Sequence, residues 1–275
     1  MPELPEVETI VRDLQRLVTG ATMKDATVLR PDLIEGEAGS LEAELPAARI
    51  DSIDRRAKNI IVSLSKSRRG ADHLVINLGM TGRVLVLAGS DADPPHTGVI
   101  IGLKDGRKIV YQDVRRFGRL ELLSAGEWRA RSDSLGYEPL SDEFTAEALH
   151  ELAKKSKVAV KVWLMDQKRV VGVGNIYASE AMFRAGIDPR KSAERLTKAE
   201  AKRLQASVRE VLLEAINFRG TTLMDYRDAA GEKGEFSRRL RVYDREGEPC
   251  VTCGKKVERV VQGGRSTFFC PSCQK

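Results

Sequence analysis

The chain has 275 residues, of which 41% are hydrophobic, and carries a formal net charge of +6 at neutral pH. This length is enough for two domains with a sizeable core. No apolar run approaches the length of a membrane span, and the N-terminus lacks the basic and apolar segments of a signal peptide. We therefore expect a cytoplasmic protein, or a nuclear or organellar one if a transit peptide has been removed, and exclude the membrane-spanning and secreted classes.

The charge is divided unevenly along the chain. Residues 1–150 carry 20 Lys and Arg against 24 Asp and Glu, whereas residues 151–275 carry 26 against 16. A basic half of this kind indicates a polyanionic partner, most simply nucleic acid. A solvated basic surface is the plain alternative.

The first ten residues read MPELPEVETI. Apolar residues then recur at helical spacing until Gly20, which predicts a helix from about Pro5 to Leu17. Proline and acidic side chains suit the first turn of a helix, because its N–H groups are unpaired and its end is positive. Pro2 and Glu3 lie ahead of this helix and are not explained by it.

From about residue 22 to residue 123, short apolar and β-branched runs alternate with turn signals, as is typical of strands. Asp105-Gly106 between two of these runs is a hairpin signal. This spacing predicts an antiparallel sandwich or barrel. The runs are Ile60–Val62, Leu74–Ile76, Val84–Leu87, Val99–Ile101 and Ile109–Val110.

Beyond residue 135 the patterns become helical. The predicted helices cover residues 145–155 and 158–165, then run from Asn175 to about Ala185, and from the capping box of Thr197 and Glu200 to just before Gly220. Gly172 and Gly174 precede Asn175, which we expect to cap the following helix. A glycine turn before a helix N-terminus suits a nucleic-acid backbone, although a simple tight turn is the alternative.

All four cysteines lie in the last 26 residues, as two Cys-x2-Cys pairs separated by sixteen residues. Two such pairs joined by a hairpin present four thiolates to one tetrahedral ion, which predicts structural zinc. Two disulfides are the alternative, but they require an oxidising compartment. Four protein ligands leave the ion no open position, so the zinc is not expected to be catalytic. The predicted ligands are Cys250, Cys253, Cys270 and Cys273.

Six segments resemble, in order, the bacterial formamidopyrimidine-DNA glycosylases. They are MPELPEVE at the start, RRAK at 55–58, LGMTG at 78–82, DVRRFG at 113–118, VGVGNIYASE at 171–180, and the stretch from GTTL at 220–223 through Val242-Tyr243 to the cysteines. Leu4 favours this branch over the related endonuclease VIII branch, which usually has Gly there.

The resemblance implies an α+β fold. An N-terminal β-sandwich domain flanked by helices is expected over residues 1–134. A helix–two-turn–helix domain with a lesion-capping loop at about 220–236 is expected over 135–239, and a β-hairpin zinc finger over 240–275. One structural zinc and no catalytic metal or organic cofactor are implied.

The resemblance also implies a bifunctional DNA glycosylase and abasic-site lyase of base excision repair. Such an enzyme excises oxidised purines, 8-oxoguanine and formamidopyrimidines, and cleaves the strand by β,δ-elimination through a Schiff base. The nucleophile is the amine of Pro2 after Met1 is removed, and Glu3 is the general acid and base. Lys58, which we place on a strand after Arg55-Arg56, and Arg265 complete the implied catalytic set, with Glu6 in support.

The implied partner is damaged double-stranded DNA, bound by one monomer in the bacterial cytoplasm and its nucleoid. Met80, Arg115 and Phe117 match the family's residues that fill the space left by an extruded base. Lys161, Asn175 and Arg265 match its phosphate-gripping positions. Thr221, Thr222 and Tyr243 are further matches, the two threonines in the capping loop.

Four positions depart from the family pattern. Asn59 replaces the usual Tyr, Asn77 the usual His, Val162 a common Pro and Tyr137 another common Pro. Because Asn is uncharged and shorter than His, Asn77 is expected to weaken or alter a phosphate contact.

Three other readings stay open. The first is a non-catalytic damaged-DNA-binding protein of the same fold, and the second is a glycosylase that prefers oxidised pyrimidines. A zinc-ribbon protein that binds RNA or protein is the third, but it leaves the N-terminus unexplained.

Overall fold

A computed structural model describes residues 2–37, 39–68, 70–221 and 234–275 of the chain. The chain divides into two compact units, one of Met1–Asp133 with Phe218–Glu235 and the other of Ser134–Asn217 with Phe236–Lys275. Within the described ranges, no helix combines the length and the apolar character needed to cross a bilayer.

The first unit begins with helix α1 and then consists mainly of strands. In chain order its elements are α1 (Leu4–Val18), β1 (Met23–Val28), α2 (Ser40–Glu44), β2 (Arg49–Arg56), β3 (Asn59–Ser65), β4 (His73–Asn77), β5 (Gly82–Ala88), β6 (Thr97–Leu103), β7 (Arg107–Asp113), β8 (Arg119–Leu123) and α3 (Ala125–Asp133).

The strands form two four-stranded sheets with the orders β1-β6-β7-β5 and β2-β3-β4-β8. Every neighbouring pair is antiparallel. Apolar side chains of both sheets join one buried cluster. It includes Ile60 and Ile76 of the β2-β3-β4-β8 sheet and Val99 and Ile109 of the other sheet. The sandwich that the sequence predicts is therefore confirmed.

Helix α1 lies against this core through the apolar stripe that predicted it. Val7, Ile10, Val11 and Leu14 are all buried in the cluster that the two sheets share. Burying side chains of this size contributes roughly 1.5–3 kcal/mol each, so packing holds the helix and thereby fixes the position of its first turn.

The second unit is helical and ends in a small hairpin. Its elements are α4 (Ala146–Ala153), α5 (Val160–Leu164), α6 (Asn175–Ala185), α7 (Lys198–Asn217), β9 (Glu258–Gln262) and β10 (Arg265–Phe269). Strands β9 and β10 are antiparallel. The hairpin has its own apolar cluster, in which Val257 and Phe268 pack with Phe183 of α6. The α+β fold class is confirmed.

Two elements differ from the sequence-based expectation. Helix α3 is not predicted, because none of its residues is buried and it therefore has no apolar stripe to reveal it. Helix α6 begins at Asn175 itself, and Gly174 occupies the cap position in an extended conformation. The prediction that Asn175 caps this helix is wrong, since its side chain is used elsewhere.

Candidate active site and nucleic-acid interface

Two buried carboxyl groups lie directly behind Pro2, at the start of α1. Pro2 is itself buried, and Glu3 and Glu6 are only 2% and 1% exposed. The backbone N–H of Glu3 donates to Glu6 Oε2 at 2.8 Å. The positive end of the α1 dipole lies in the same turn and stabilises negative charge there. Acidic groups and a helix end therefore surround the residue that the resemblance gives as nucleophile.

The other oxygen of Glu6 holds a distant part of the chain. Glu6 Oε1 accepts a hydrogen bond from the backbone N–H of Thr221 at 2.7 Å. One position earlier, Gly220 has φ +81°, and a Cβ there would lie 2.8 Å from Glu6 Oε1. Arg219 donates from Nη2 to Asp13 Oδ2 at 2.6 Å. The segment 219–221 is thus fastened to α1 by two carboxylates.

Thr221 lies at one end of the segment that matches the capping loop. It is 4% exposed and forms an antiparallel bridge with Glu235, so the two ends of this segment meet. Residues 222–233, which include the predicted loop residue Thr222, lie outside the described residues.

Lys58 lies in the turn between β2 and β3, and its placement on a strand is wrong. Strand β2 stops at Arg56 because Ala57 adopts φ +56°, in the left-handed region. Arg55 fixes this turn from the side. Its Nη1 donates to the carbonyl of Ala57 at 3.0 Å, and its Nε donates to Glu8 Oε2 of α1 at 3.0 Å.

Three residues that match the family's base-replacing positions lie exposed on two loops. Met80 is 38% exposed and Phe117 is 53% exposed, and the guanidinium of Arg115 lies 4.8 Å from the centre of the Phe117 ring. The loops adjoin at Gly79, where a Cβ would lie 2.5 Å from the backbone carbon of Phe117. A large apolar side chain in water is unfavourable, so these tips suit insertion into a base stack.

A buried carboxylate that the sequence analysis did not single out organises the second loop. Asp113 is 2% exposed, and its two oxygens accept the backbone N–H of Arg115 at 3.2 Å and that of Gly118 at 2.8 Å. In the sequence Asp113 is recognisable only as the start of a tight polar segment, and its burial follows from the fold.

In the second unit, two of the three phosphate-gripping candidates, Lys161 and Asn175, share one carbonyl acceptor. The Lys161 ammonium donates to Asn175 Oδ1 and, at 3.4 Å, to the carbonyl of Ser266. Asn175 Nδ2 donates to the same carbonyl at 2.9 Å. Lys161 is fully buried, so its charge is held within this network. Arg265, next to Ser266, is exposed at the start of β10.

Tyr243 packs edge-on against Phe268, with the ring centres 5.2 Å apart. Its backbone N–H, like those of Arg241 and Val242, donates to the carboxylate of Glu180 at 2.9–3.0 Å. Glu180 is fully buried on α6. Glu180 is the last residue of the VGVGNIYASE motif, which by itself indicates no role for it, and the structure shows that it anchors the segment before the hairpin.

The four cysteines converge at the base of the hairpin. Their Sγ atoms all lie within 4.8 Å of one another, with 3.9 Å between Cys250 and Cys273 and 3.5 Å between Cys253 and Cys270. Zinc with Zn–S bonds of about 2.3 Å places tetrahedral sulfurs about 3.8 Å apart, so the cluster is close to the size that the ion requires. The four residues hold one structural zinc, as the sequence predicts.

Comparison with known proteins gives the same family along the whole chain. Residues 1–120 match the formamidopyrimidine-DNA glycosylase N-terminal domain, residues 135–227 its H2TH domain, and residues 247–275 a zinc finger found in FPG and IleRS. The formamidopyrimidine-DNA glycosylase of Paracoccus denitrificans is 45% identical, with all of both chains covered.

Two solved structures show the same arrangement of elements. The MutM (FPG) protein of Thermus thermophilus is 42% identical, with a TM-score of 0.87 over 99% of this chain and 98% of that one. A Lactococcus lactis FPG variant in complex with DNA that contains Fapy-dG is 30% identical, with a TM-score of 0.93 over the full length of both chains.

Proposed function

The chain belongs to the formamidopyrimidine-DNA glycosylase family and is a DNA glycosylase of base excision repair, and we propose that its reaction runs through Pro2. The proline nitrogen becomes a nucleophilic amine only after Met1 is removed. The small residue at position 2 permits that removal. The supporting observation is the pair of buried carboxyl groups of Glu3 and Glu6 that follows Pro2 at the N-terminal end of α1.

The proposed reaction has four steps. The Pro2 nitrogen attacks C1′ of the damaged nucleotide, the glycosidic bond breaks, and the base leaves with the bonding electrons and takes up a proton. Loss of the N–H proton and opening of the sugar ring give an iminium ion, which is cationic without further protonation. This cation acidifies the C2′ proton, so its removal expels the 3′-phosphate, and a second elimination expels the 5′-phosphate.

Glu3 is the group we assign to proton transfer. It is adjacent to the nucleophile, and a carboxyl group so placed protonates the sugar ring oxygen as the ring opens and accepts the C2′ proton afterwards. Lys58, on its turn beside β3, supplies an ammonium for the phosphate next to the lesion and for the damaged base. Glu6 supports the site by accepting hydrogen bonds from the backbone N–H groups of Glu3 and Thr221.

The exposed loops supply the grip on DNA. A base inside a duplex is out of reach until its nucleotide is extruded. Phe117 is proposed to wedge into the base step, Met80 to fill the vacated space, and Arg115 to bond the orphaned cytosine. In the second unit, Lys161, Asn175 and Arg265 are proposed to bind phosphates, and Tyr243 is proposed to contact DNA as well.

We propose oxidised purines, 8-oxoguanine and formamidopyrimidines, as the substrates, with Thr221 and Thr222 in the loop that closes over the extruded base. We further propose that one chain acts alone on one duplex site, in the bacterial cytoplasm and its nucleoid. Functionally, the chain is proposed to divide into a catalytic part at 1–134, a DNA-binding part at 135–239 and the zinc finger at 240–275.

Borohydride trapping tests the proposal directly, because it reduces the iminium to a stable amine and so fixes the enzyme to DNA. The processed protein is mixed with a duplex that carries 8-oxoguanine opposite cytosine, and with an undamaged duplex as control. We expect a covalent adduct with the damaged duplex alone. Pro2→Gly lowers the yield by about two orders of magnitude or more, and Glu3→Gln, which keeps the shape but not the acid, lowers it comparably.

If damaged DNA is bound tightly and no adduct forms, the non-catalytic damage-recognition function replaces this proposal. If an adduct forms equally well with Pro2→Gly carrying a chemically blocked N-terminus, another amine is the nucleophile and the assignment to Pro2 is wrong.

A further inference from the structure

The two polar departures from the family pattern, Asn59 and Asn77, contact each other. They are directly paired across β3 and β4, at the end of the strands. Asn77 Nδ2 donates to Asn59 Oδ1 at 2.9 Å. Directly paired residues in a sheet project to the same face, and their side chains interact. Two substitutions that look independent along the sequence are therefore one structural unit.

Backbone groups at both ends fix the direction of this unit. The N–H of Gly79, which can only donate, bonds to Asn77 Oδ1 at 3.0 Å. The carbonyl of Arg56, which can only accept, bonds to Asn59 Nδ2 at 3.3 Å. Each amide therefore has its oxygen and nitrogen assigned by an obligatory partner, and the three hydrogen bonds run in one direction.

The two ends of this chain of bonds lie at functionally important turns. Arg56 is the last residue before the Ala57–Lys58 turn, and Gly79 directly precedes Met80. Gly79 also lies against the backbone of the loop that carries Phe117. A displacement at either turn must therefore break a hydrogen bond or move the other turn.

We infer that Asn59 and Asn77 are a positioning pair that holds the Lys58 turn and the Met80 tip in one fixed arrangement. The inference rests on the proposed function, in which Lys58 faces the extruded nucleotide and Met80 fills the space that it leaves. The contact of Lys58 with the extruded nucleotide and the insertion of Met80 into the vacated space then form together. The family's usual histidine at this position is expected to contact a phosphate, whereas Asn77 makes this contact within the protein.

A double-mutant cycle tests the pair. Asn59→Ala, Asn77→Ala and the double variant are compared on a duplex with 8-oxoguanine opposite cytosine, and 2-aminopurine next to that cytosine reports insertion into the stack. Each single variant is expected to lower the single-turnover excision rate and the fluorescence change about threefold to tenfold, the range for one net hydrogen bond. The double variant is expected to be no worse than either single variant, because both remove the same connection.

Ser63→Ala is the matched control. Ser63 Oγ and His73 Nδ1 lie 3.3 Å apart on the same two strands, at their other end, so this variant removes a comparable cross-strand contact without touching the turns. Asn59→Asp and Asn77→Asp keep the side-chain shape and serve if an alanine variant does not fold. The variant that combines Asn59→Tyr with Asn77→His is expected to retain more excision activity than the variant with either change alone.

Three results would overturn the pairing. They are losses of excision rate that multiply in the double variant, no loss in either single variant, and an equal loss in Ser63→Ala. Failure of the proposed function has a different signature. In that case the unmodified protein gives no borohydride adduct with a preformed abasic site, whereas failure of the pair alone leaves that adduct intact.

Discussion

The hydroxyl of Thr81 donates to the carboxylate of Asp113 at 2.5 Å, and this bond joins the two loops that carry the proposed base-replacing side chains. Thr81 follows Met80, and Asp113 also receives the backbone N–H groups of Arg115 and Gly118. Burial and the neighbouring Asp113 carboxylate raise the pKa of Tyr111 far above its ordinary value. Its hydroxyl therefore remains a donor beside this carboxylate at any physiological pH.

We predict that Asp113→Asn loosens both loops. An amide offers one acceptor where the carboxylate offers two, so at least one buried N–H or O–H loses its partner, which costs about 1–3 kcal/mol of unfolding free energy. Arg115 is then less well placed to select the opposite base. The expected result is a smaller preference for 8-oxoguanine opposite cytosine over 8-oxoguanine opposite adenine. Excision rates on the two duplexes measure it, with Thr81→Ser, which keeps the hydroxyl, as the control that retains the preference.

Gly220→Ala is predicted to damage the site without removing a chemical group. The new Cβ would lie 2.8 Å from Glu6 Oε1, and φ +81° is strained for alanine. We expect loss of the Thr221–Glu6 bond and at least a tenfold slower excision, while borohydride trapping at a preformed abasic site is less affected. Gly126→Ala is the matched control, since nothing lies within 4 Å of its Cβ. Equal excision by the two variants would contradict the role of this contact.

Removal of zinc is predicted to abolish DNA binding. The hairpin core includes two of the ligands, Cys250 and Cys270, and Ser266 of β10 supplies the carbonyl that Lys161 and Asn175 share. Structural zinc supplies the folding free energy of such small modules, so its loss unfolds the hairpin. Chelation should remove one zinc per chain by elemental analysis, with a parallel loss of abasic-duplex binding that added zinc restores. Binding that survives complete zinc loss would contradict this prediction.

Glu180 makes stability depend on pH in a defined direction. Burial raises the pKa of its carboxyl, although three backbone N–H groups and Arg184 oppose the shift. A carboxyl group whose pKa is raised by folding contributes stability in its protonated form, and that contribution is lost as the pH rises through the raised pKa. The stability advantage of the natural chain over Glu180→Gln should therefore shrink as the pH rises above the ordinary glutamate pKa of 4.5, as measured by urea unfolding at several pH values. Glu180→Ala, which accepts no hydrogen bond, should be less stable than Glu180→Gln at every pH.

Regular elements with buried stripes were predictable from the sequence. Helix α1 was expected from about Pro5 to Leu17 and occupies Leu4–Val18, because apolar residues repeat at the helical period. The zinc site was equally predictable, since cysteine spacing carries its geometry. Helix α3 was not, because an exposed helix has no hydrophobic period to detect.

The contacts within the site depend on backbone conformation, strand register and distances in space, which the pattern of residue types along the sequence does not reveal. Ala57 has an unremarkable side chain, so its left-handed backbone and the turn at Lys58 were missed. Asn59 and Asn77 are partners only because of strand register, which the turns determine. The role of Glu6 as a link to Thr221 required knowledge of where residue 221 lies in space.

That last link spans 215 positions of the chain, and Asp13 and Arg219 make a second connection over 206. Pro2 is synthesised more than 200 positions before the segment at 219–221. A nascent chain or a product truncated before residue 218 therefore has the proposed nucleophile but not these anchors. The contacts that fasten residues 219–221 to α1 can therefore form only after synthesis has passed residue 221.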